Sequence, residues 1–181
     1  MKNTTFKIAP AQSRIEWIGK KVTGAHDGTI DLKGGEIILS AEGKLVGGRV
    51  VVDTTSIKVL DIADPATNAQ MTGHLASGDF FSSEQFPEAT LDIVSVDGIH
   101  VKANLTIKGI THPIGFEISL NAGGTLLMAS TRLLVDRTKY DMKFRSGNFF
   151  QSLGDTLIYN DFELNVTLAA KAVQNVETVL S

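Results

Sequence analysis

Apolar and polar residues alternate with period two along most of this chain, the pattern of strands with one buried face. Val101, Ala103, Leu105 and Ile107 share one parity, while Lys102, Asn104, Thr106 and Lys108 take the other. Ile114, Phe116, Ile118 and Leu120 alternate with Gly115, Glu117 and Ser119. Near the end, Ile158, Phe162, Leu164, Val166 and Leu168 alternate with Tyr159, Asp161, Glu163, Asn165 and Thr167. The same reading places strands at 13–20, 26–33, 35–40, 45–58, 89–96 and 125–136. Parity switches between Ile93 and Val94, which predicts a bulge or a turn there.

Turn signals fall between these runs: Lys33-Gly34-Gly35, Ala41-Glu42-Gly43-Lys44, Asp97-Gly98, Lys108-Gly109 and Asn121-Ala122-Gly123-Gly124. Asp97-Gly98, flanked by strand patterns, predicts a type I′ hairpin turn. About eight or nine strands at this spacing predict an all-β antiparallel barrel or sandwich. No helix separates successive strands, as a parallel βαβ arrangement would require.

One segment breaks the alternation. Asp64-Pro65 offers an N-cap and a first-turn proline, and Gly78 offers a stop after Ser77. The spacing predicts a short helix over 65–77 that places Met71, His74 and Leu75 on one face. The helix is moderately apolar, which suits an element lying over an opening. It runs into an aromatic cluster, Phe80-Phe81 and then Phe86-Pro87. The last stretch, 171–181, carries Val173, Val176, Val179 and Leu180 and fits a short helix, an added strand or an unstructured end.

Length and composition allow one substantial domain, taken here as 5–170. Charge is close to balanced, at a formal −3, which argues against a nucleic-acid binder. The chain has no cysteine, so disulfides, thiolate catalysis and cysteine-ligated zinc are excluded. The first residues show no apolar signal core, and no apolar run approaches the ~18 residues of a membrane-crossing helix. A cytoplasmic location is expected as the sequence is written, and a periplasmic one if it is a processed form.

Several motifs carry a resemblance. They are Phe6-Lys7-Ile8 with Ser13-Arg14-Ile15-Glu16-Trp17, then Val22 to Ile30, and Val50-Val51-Val52-Asp53-Thr54-Thr55-Ser56-Ile57. His74-Leu75, Asp79-Phe80-Phe81 and Phe86-Pro87 follow. Leu105-Thr106-Ile107-Lys108-Gly109-Ile110-Thr111-His112-Pro113 is the most specific, and Val135-Asp136-Arg137-Thr138 comes before Tyr140. In this order, over roughly 5–169, the chain resembles the YceI-like family of polyisoprenoid-binding proteins. One departure is His112, in a turn where asparagine or lysine is also familiar. The resemblance implies an eight-stranded antiparallel lipocalin-like β-barrel whose apolar interior holds an isoprenoid or similar amphipathic lipid. It implies no enzymatic activity and calls for no cofactor. It also makes a homodimer an expectation.

A barrel of eight strands is the size that either fills with side chains or holds one small ligand. Val50, Val52, Val101, Ala103, Val135 and Val166 are inward candidates whose modest bulk leaves room. Candidate cavity residues are Trp17, Met71, Leu75, Phe80, Phe81, Phe86, Phe116, Phe144 and Phe162, with Phe149 and Phe150 behind them. Each ring has a plainer role as core that closes a barrel end. Candidates to hold a head group are His74, Arg132, Arg137 and Tyr140. The cations from Arg132 to Arg145 also fit a solvated loop, with Arg137 anchoring it.

Two alternatives stay open, and the first is an enzyme or a metal-binding protein that uses the barrel cavity. His26, His74, His100 and His112 contain no close pair, so a metal site using His26 and His74 would have to assemble through space. Asp53, Asp61, Asp64, Glu84 and Glu88 form no recognisable catalytic pair, and no Gly-x-Ser-x-Gly elbow occurs. The second alternative is an interaction module with a filled barrel.

Overall fold

The computed structural model describes residues 3–21, 24–143 and 158–173. Its strands are β1 (Thr4–Ile8), β2 (Arg14–Lys21), β3 (Gly24–Leu39), β4 (Leu45–Val59), β5 (Glu88–Asp97), β6 (His100–Ile107), β7 (Ile110–Gly123), β8 (Leu126–Asp136) and β9 (Ile158–Ala172). One helix, α1 (Pro65–Ala76), lies between β4 and β5. From β2 to β9 each strand pairs antiparallel with the next, and β9 pairs with β2 to close an eight-stranded barrel. β1 lies outside this ring, in line with β2. It bonds to the same two neighbours, through Thr4 opposite Leu39 of β3 and Ile8 opposite Ala170 of β9.

Period-two alternation decides the faces, as expected. Val101, Ala103, Leu105 and Ile107 are buried, whereas Lys102 is exposed. On β8, Leu127, Ala129, Leu133 and Val135 are buried while Leu126, Met128 and Leu134 face outward. The parity switch in β5 is a register shift between Ile93 and Ser95.

Two turn expectations are corrected. Lys33-Gly34-Gly35 is no turn: β3 runs unbroken through it, with its register to β4 shifting between Leu32 and Gly34. A long strand wrapped around a barrel must bend, and glycine lets it do so. Gly35 has φ +130°, and a Cβ there would lie 2.1 Å from the Arg49 carbonyl oxygen. The hairpin after β5 pairs Asp97 with His100, so its turn residues are Gly98 and Ile99. Only Gly98 has positive φ, which rules out type I′. The I′ signature falls instead at Lys108 (φ 54°) and Gly109 (φ 72°), between paired Ile107 and Ile110.

α1 starts as its sequence predicts. The Asp64 carboxylate accepts from the Thr67 amide (3.0 Å) and hydroxyl (2.6 Å), and Pro65 follows. Its end differs from expectation, because Gly78 does not take the left-handed conformation. Ser77 stops the helix in extended geometry, its amide bonded to the His74 carbonyl. The following loop is tied down by Phe81 N–H to Leu75 O and Ser83 N–H to Ala76 O. Lys171 and Ala172 complete β9, and residues from 174 on lie outside the described part.

β3 meets the β4 backbone and the Trp17 ring of β2 closely at Gly28. A Cβ there would sit 1.7 Å from the Lys58 carbonyl oxygen and 2.7 Å from the Trp17 ring. The Trp17 indole N–H donates to that same carbonyl at 3.1 Å. Gly28→Ala should therefore lower the unfolding free energy by about 2–3 kcal/mol, the cost of overpacking at backbone. Gly34→Ala, with nothing within 4 Å of the new methyl, should change it by less than about 1 kcal/mol. Urea denaturation of the two variants checks the contrast.

Candidate functional site

The inward side chains fill only part of the barrel. At the end covered by α1 they leave a cavity of about 450 Å³. Its wall is apolar: Ile15 and Trp17 from β2, Ile30 from β3, Val52 and Ile57 from β4, Leu105 and Ile107 from β6, Phe162 and Leu164 from β9. Met71, His74 and Leu75 of α1 and Phe80 and Phe81 of the next loop form the lid. The helix is seated by Asn68, whose amide donates to the carbonyls of Val59 (2.8 Å) and Ile62 (3.0 Å). The loop is fastened through Thr54, whose hydroxyl donates to the Phe86 carbonyl while its own carbonyl accepts from Ser83.

Polar groups collect at the mouth and the lid. Lys20, Lys21, His26, His74, Arg137 and Asp161 reach the cavity, with Thr54 on the wall. Lys20 and Asp161 also line an outer groove with Arg132, Asp136, Asn160 and Glu163. There the β2–β9 register slips, with Gly19 opposite Phe162 but Lys21 opposite Ile158. The wall is thus irregular where its charges stand.

The expected cavity residues divide. Trp17, Met71, Leu75, Phe80, Phe81 and Phe162 line the cavity together, and the Phe81 and Phe162 rings meet edge to face at 6.4 Å. Phe86 does not line it; its ring packs over Gly109, where a Cβ would lie 3.2 Å away. Phe116 is half-buried on β7 and is likewise outside the lining. Phe144, Phe149, Phe150 and Arg145 lie outside the described residues. Of the small inward residues, Val52 alone lines the cavity. Val50, Val101, Ala103, Val135 and Val166 are buried without lining it.

The expected head-group residues also divide. His74 and Arg137 reach the cavity, whereas Arg132 and Tyr140 do not. His74 Nε2 lies 2.9 Å from an Asp79 carboxylate oxygen, and its ring meets Phe80 edge-on at 5.1 Å. Arg137, 3% exposed, donates to the carbonyls of Met142 (2.5 Å) and Ile158 (3.0 Å) and lies over the Phe80 ring. Burial lowers its pKa, though the neighbouring Asp136 opposes this. Arg132 is on the outer face, paired closely with Glu163. That bond, with a second from Asn165, holds the Glu163 carboxyl below its usual range. Tyr140 is buried against His112, and burial raises its phenol.

Sequence reasoning missed Lys20 and Lys21 as rim residues. Their position at the last turn-ward end of β2 was the available signal, but nothing in the pattern told which barrel end stays open. Among the described residues no three His, Asp or Glu side chains come together to hold a metal. His26 and His74 each face one carboxylate; His100 stands opposite Glu117.

Comparison with known proteins agrees with this geometry. A model of the YceI-like domain matches residues 6–170. A UPF0312 protein of Staphylococcus aureus (strain bovine RF122 / ET3-1) is 32% identical over 84 residues, 42% of this chain and 49% of the relative. Another, from strain N315, is 41% identical over 54 residues, 30% of this chain and 32% of the relative. The chain spans about half the length of the curated relatives it matches, or less. Among solved structures, BcnA of Burkholderia cenocepacia aligns with a TM-score of 0.70 at 16% identity, over 91% of this chain and 99% of that one. A polyisoprenoid-binding domain from Saccharophagus degradans aligns at 0.69 and 16%, over 93% and 98%. At such identity the likeness is one of fold.

Two tests follow from the rim. Arg137→Gln removes the donor of a buried carbonyl, Met142, and a half-buried one, Ile158, and should cost about 3 kcal/mol of stability. Arg132→Gln, at a side chain 64% exposed, should cost less than about 1 kcal/mol. Thermal unfolding compares them. The second test concerns Asp61. Burial alone would raise its carboxyl, but bonds from His26 (2.7 Å) and the Asp27 amide (3.1 Å) bring it below the usual range. A depressed carboxyl stabilises the fold above its unfolded value, near pH 4, and loses that contribution as pH falls through the folded value. Asp61→Asn should flatten the acid limb of the stability–pH curve below about pH 4 and leave its shape near pH 8 unchanged.

Proposed function

The chain belongs to the YceI-like domain family, and we propose that it binds an amphipathic isoprenoid or similar long-chain lipid, non-covalently, inside the barrel. The observation that carries this reading is the separation of the site into an apolar wall and a charged rim. A prenyl chain fits such a wall, since each isoprene unit of five carbons contributes on the order of 4 kcal/mol when buried. Three such units offset much of the roughly 4–15 kcal/mol that association costs. A head group at the mouth meets donors on Lys20 and Lys21 and an acceptor on Asp161.

The name given to the Saccharophagus degradans domain supports extending polyisoprenoid binding to this chain. So does the arrangement of α1, which lies over the cavity on a few specific bonds rather than on a broad apolar face. Only Leu75 of that helix is buried. An element held this lightly can move aside for cargo more cheaply than a barrel strand can.

Protein purified from its host should carry a lipid that survives into native mass spectrometry. Trp17, the single tryptophan, lines the cavity and reports on uptake of added farnesol through its fluorescence. Phe81→Asp puts a charge into the lid and should weaken farnesol uptake by about a hundredfold or more, following the cost of burying a charge. Equal uptake by a folded Phe81→Asp variant, or none by the parent protein, would sink the reading.

A further inference from the structure

The cavity does not run the length of the barrel. Its lining ends at Ile15 on β2, Ile30 on β3, Val52 on β4, Ala89 on β5, Leu105 on β6 and Leu164 on β9. Side chains two residues apart share a face. One step further from α1, the inward positions are therefore Leu32, Val50, Leu91, Ala103 and Val166. None of these lines the cavity; Leu32, Val50, Ala103 and Val166 are buried, and Leu91 packs against them. Pairing joins this layer to the wall above it. Val50 stands opposite Leu91, Leu91 opposite Leu105, and Val52 opposite Ala89. Below it the interior is closed again by Phe6, Ile8, Ile37, Leu127 and Ala170, all buried.

We propose that this floor is a chain-length ruler, which sets the preferred cargo at about three isoprene units. The inference rests on the lipid-binding reading and narrows its ligand class. A cavity of about 450 Å³ takes roughly fifteen non-hydrogen atoms, if each occupies about the 30 Å³ of a water molecule in the liquid. A chain with its head at Lys20, Lys21 and Asp161 reaches the floor with its third unit. Further units remain at the mouth, among charges and water, and gain little from burial. Ala89 is the wall position best placed to shorten the ruler. It is an alanine facing the void, so added carbons enter empty space instead of overlapping a neighbour.

The test measures affinities of geraniol, farnesol, geranylgeraniol and hexaprenol, presented from the same detergent, by quenching of Trp17. From geraniol to farnesol affinity should rise about tenfold or more, and from geranylgeraniol to hexaprenol by less than about threefold. Ala89→Leu should weaken farnesol about tenfold while leaving geraniol within about threefold of the parent. Val50→Ala should lower the floor and move the break toward geranylgeraniol. A further tenfold gain at hexaprenol, or an Ala89→Leu variant that weakens geraniol and farnesol alike, overturns the ruler while leaving lipid binding intact. A folded parent protein that binds no prenol of any length overturns both.

Discussion

The open end of the barrel keeps its shape through two cations that bond to main-chain carbonyls. Arg137 joins the carbonyls of Met142 and Ile158. Lys108, its side chain 6% exposed, donates to Gly78 (2.8 Å) and Asp141 (2.9 Å). Both hold irregular segments that no strand ladder could hold: the loop after α1, the turn after β8 and the start of β9. Without Arg137 the Met142 carbonyl would be left buried and unsatisfied, at a cost of about 1–3 kcal/mol. The lid can therefore stay in place over an apolar space without being pulled into it.

The cavity is a consequence of how side-chain bulk is distributed along the barrel. In the far half Leu127 and Ala129 of β8 and Val101 and Ala103 of β6 are buried without lining the cavity. In the near half, β8 contributes no wall residue, and the space above Ile15 and Val52 is roofed by α1 instead of being filled. A barrel of this size stands at the boundary between filled and hollow. Here it is filled at one end and hollow at the other.

Charge is arranged to match. His26, His74 and Arg132 each face a carboxylate, and Arg137 faces carbonyls, so these groups serve first to hold the rim. Lys20 and Asp161 stand on either side of the β2–β9 register slip and form no ion pair among the described residues. They are the charges best placed to meet a ligand, on the two strands whose pairing closes the barrel.

The sequence by itself determined most of the strands, their inward faces and the helix start, although it broke β3 at Lys33-Gly34-Gly35. These are local matters of period-two alternation and of a capping Asp64 followed by Pro65. It also placed the I′ signal at Lys108-Gly109 in plain view, although Asp97-Gly98 looked stronger. The motifs from Phe6 to Tyr140 were enough to point to the family. What only the tertiary structure decided was which inward residues face space and which face one another. Val52 and Val50 share a parity and differ by a single layer, yet one lines the cavity and the other closes it. That distinction depends on side chains from strands far apart in the chain, Ala89 and Leu105 among them, and no local pattern contains it. The same holds for Phe86 and Phe81. Both are rings near the lid, and only the course of the loop sends one onto Gly109 and the other into the cavity.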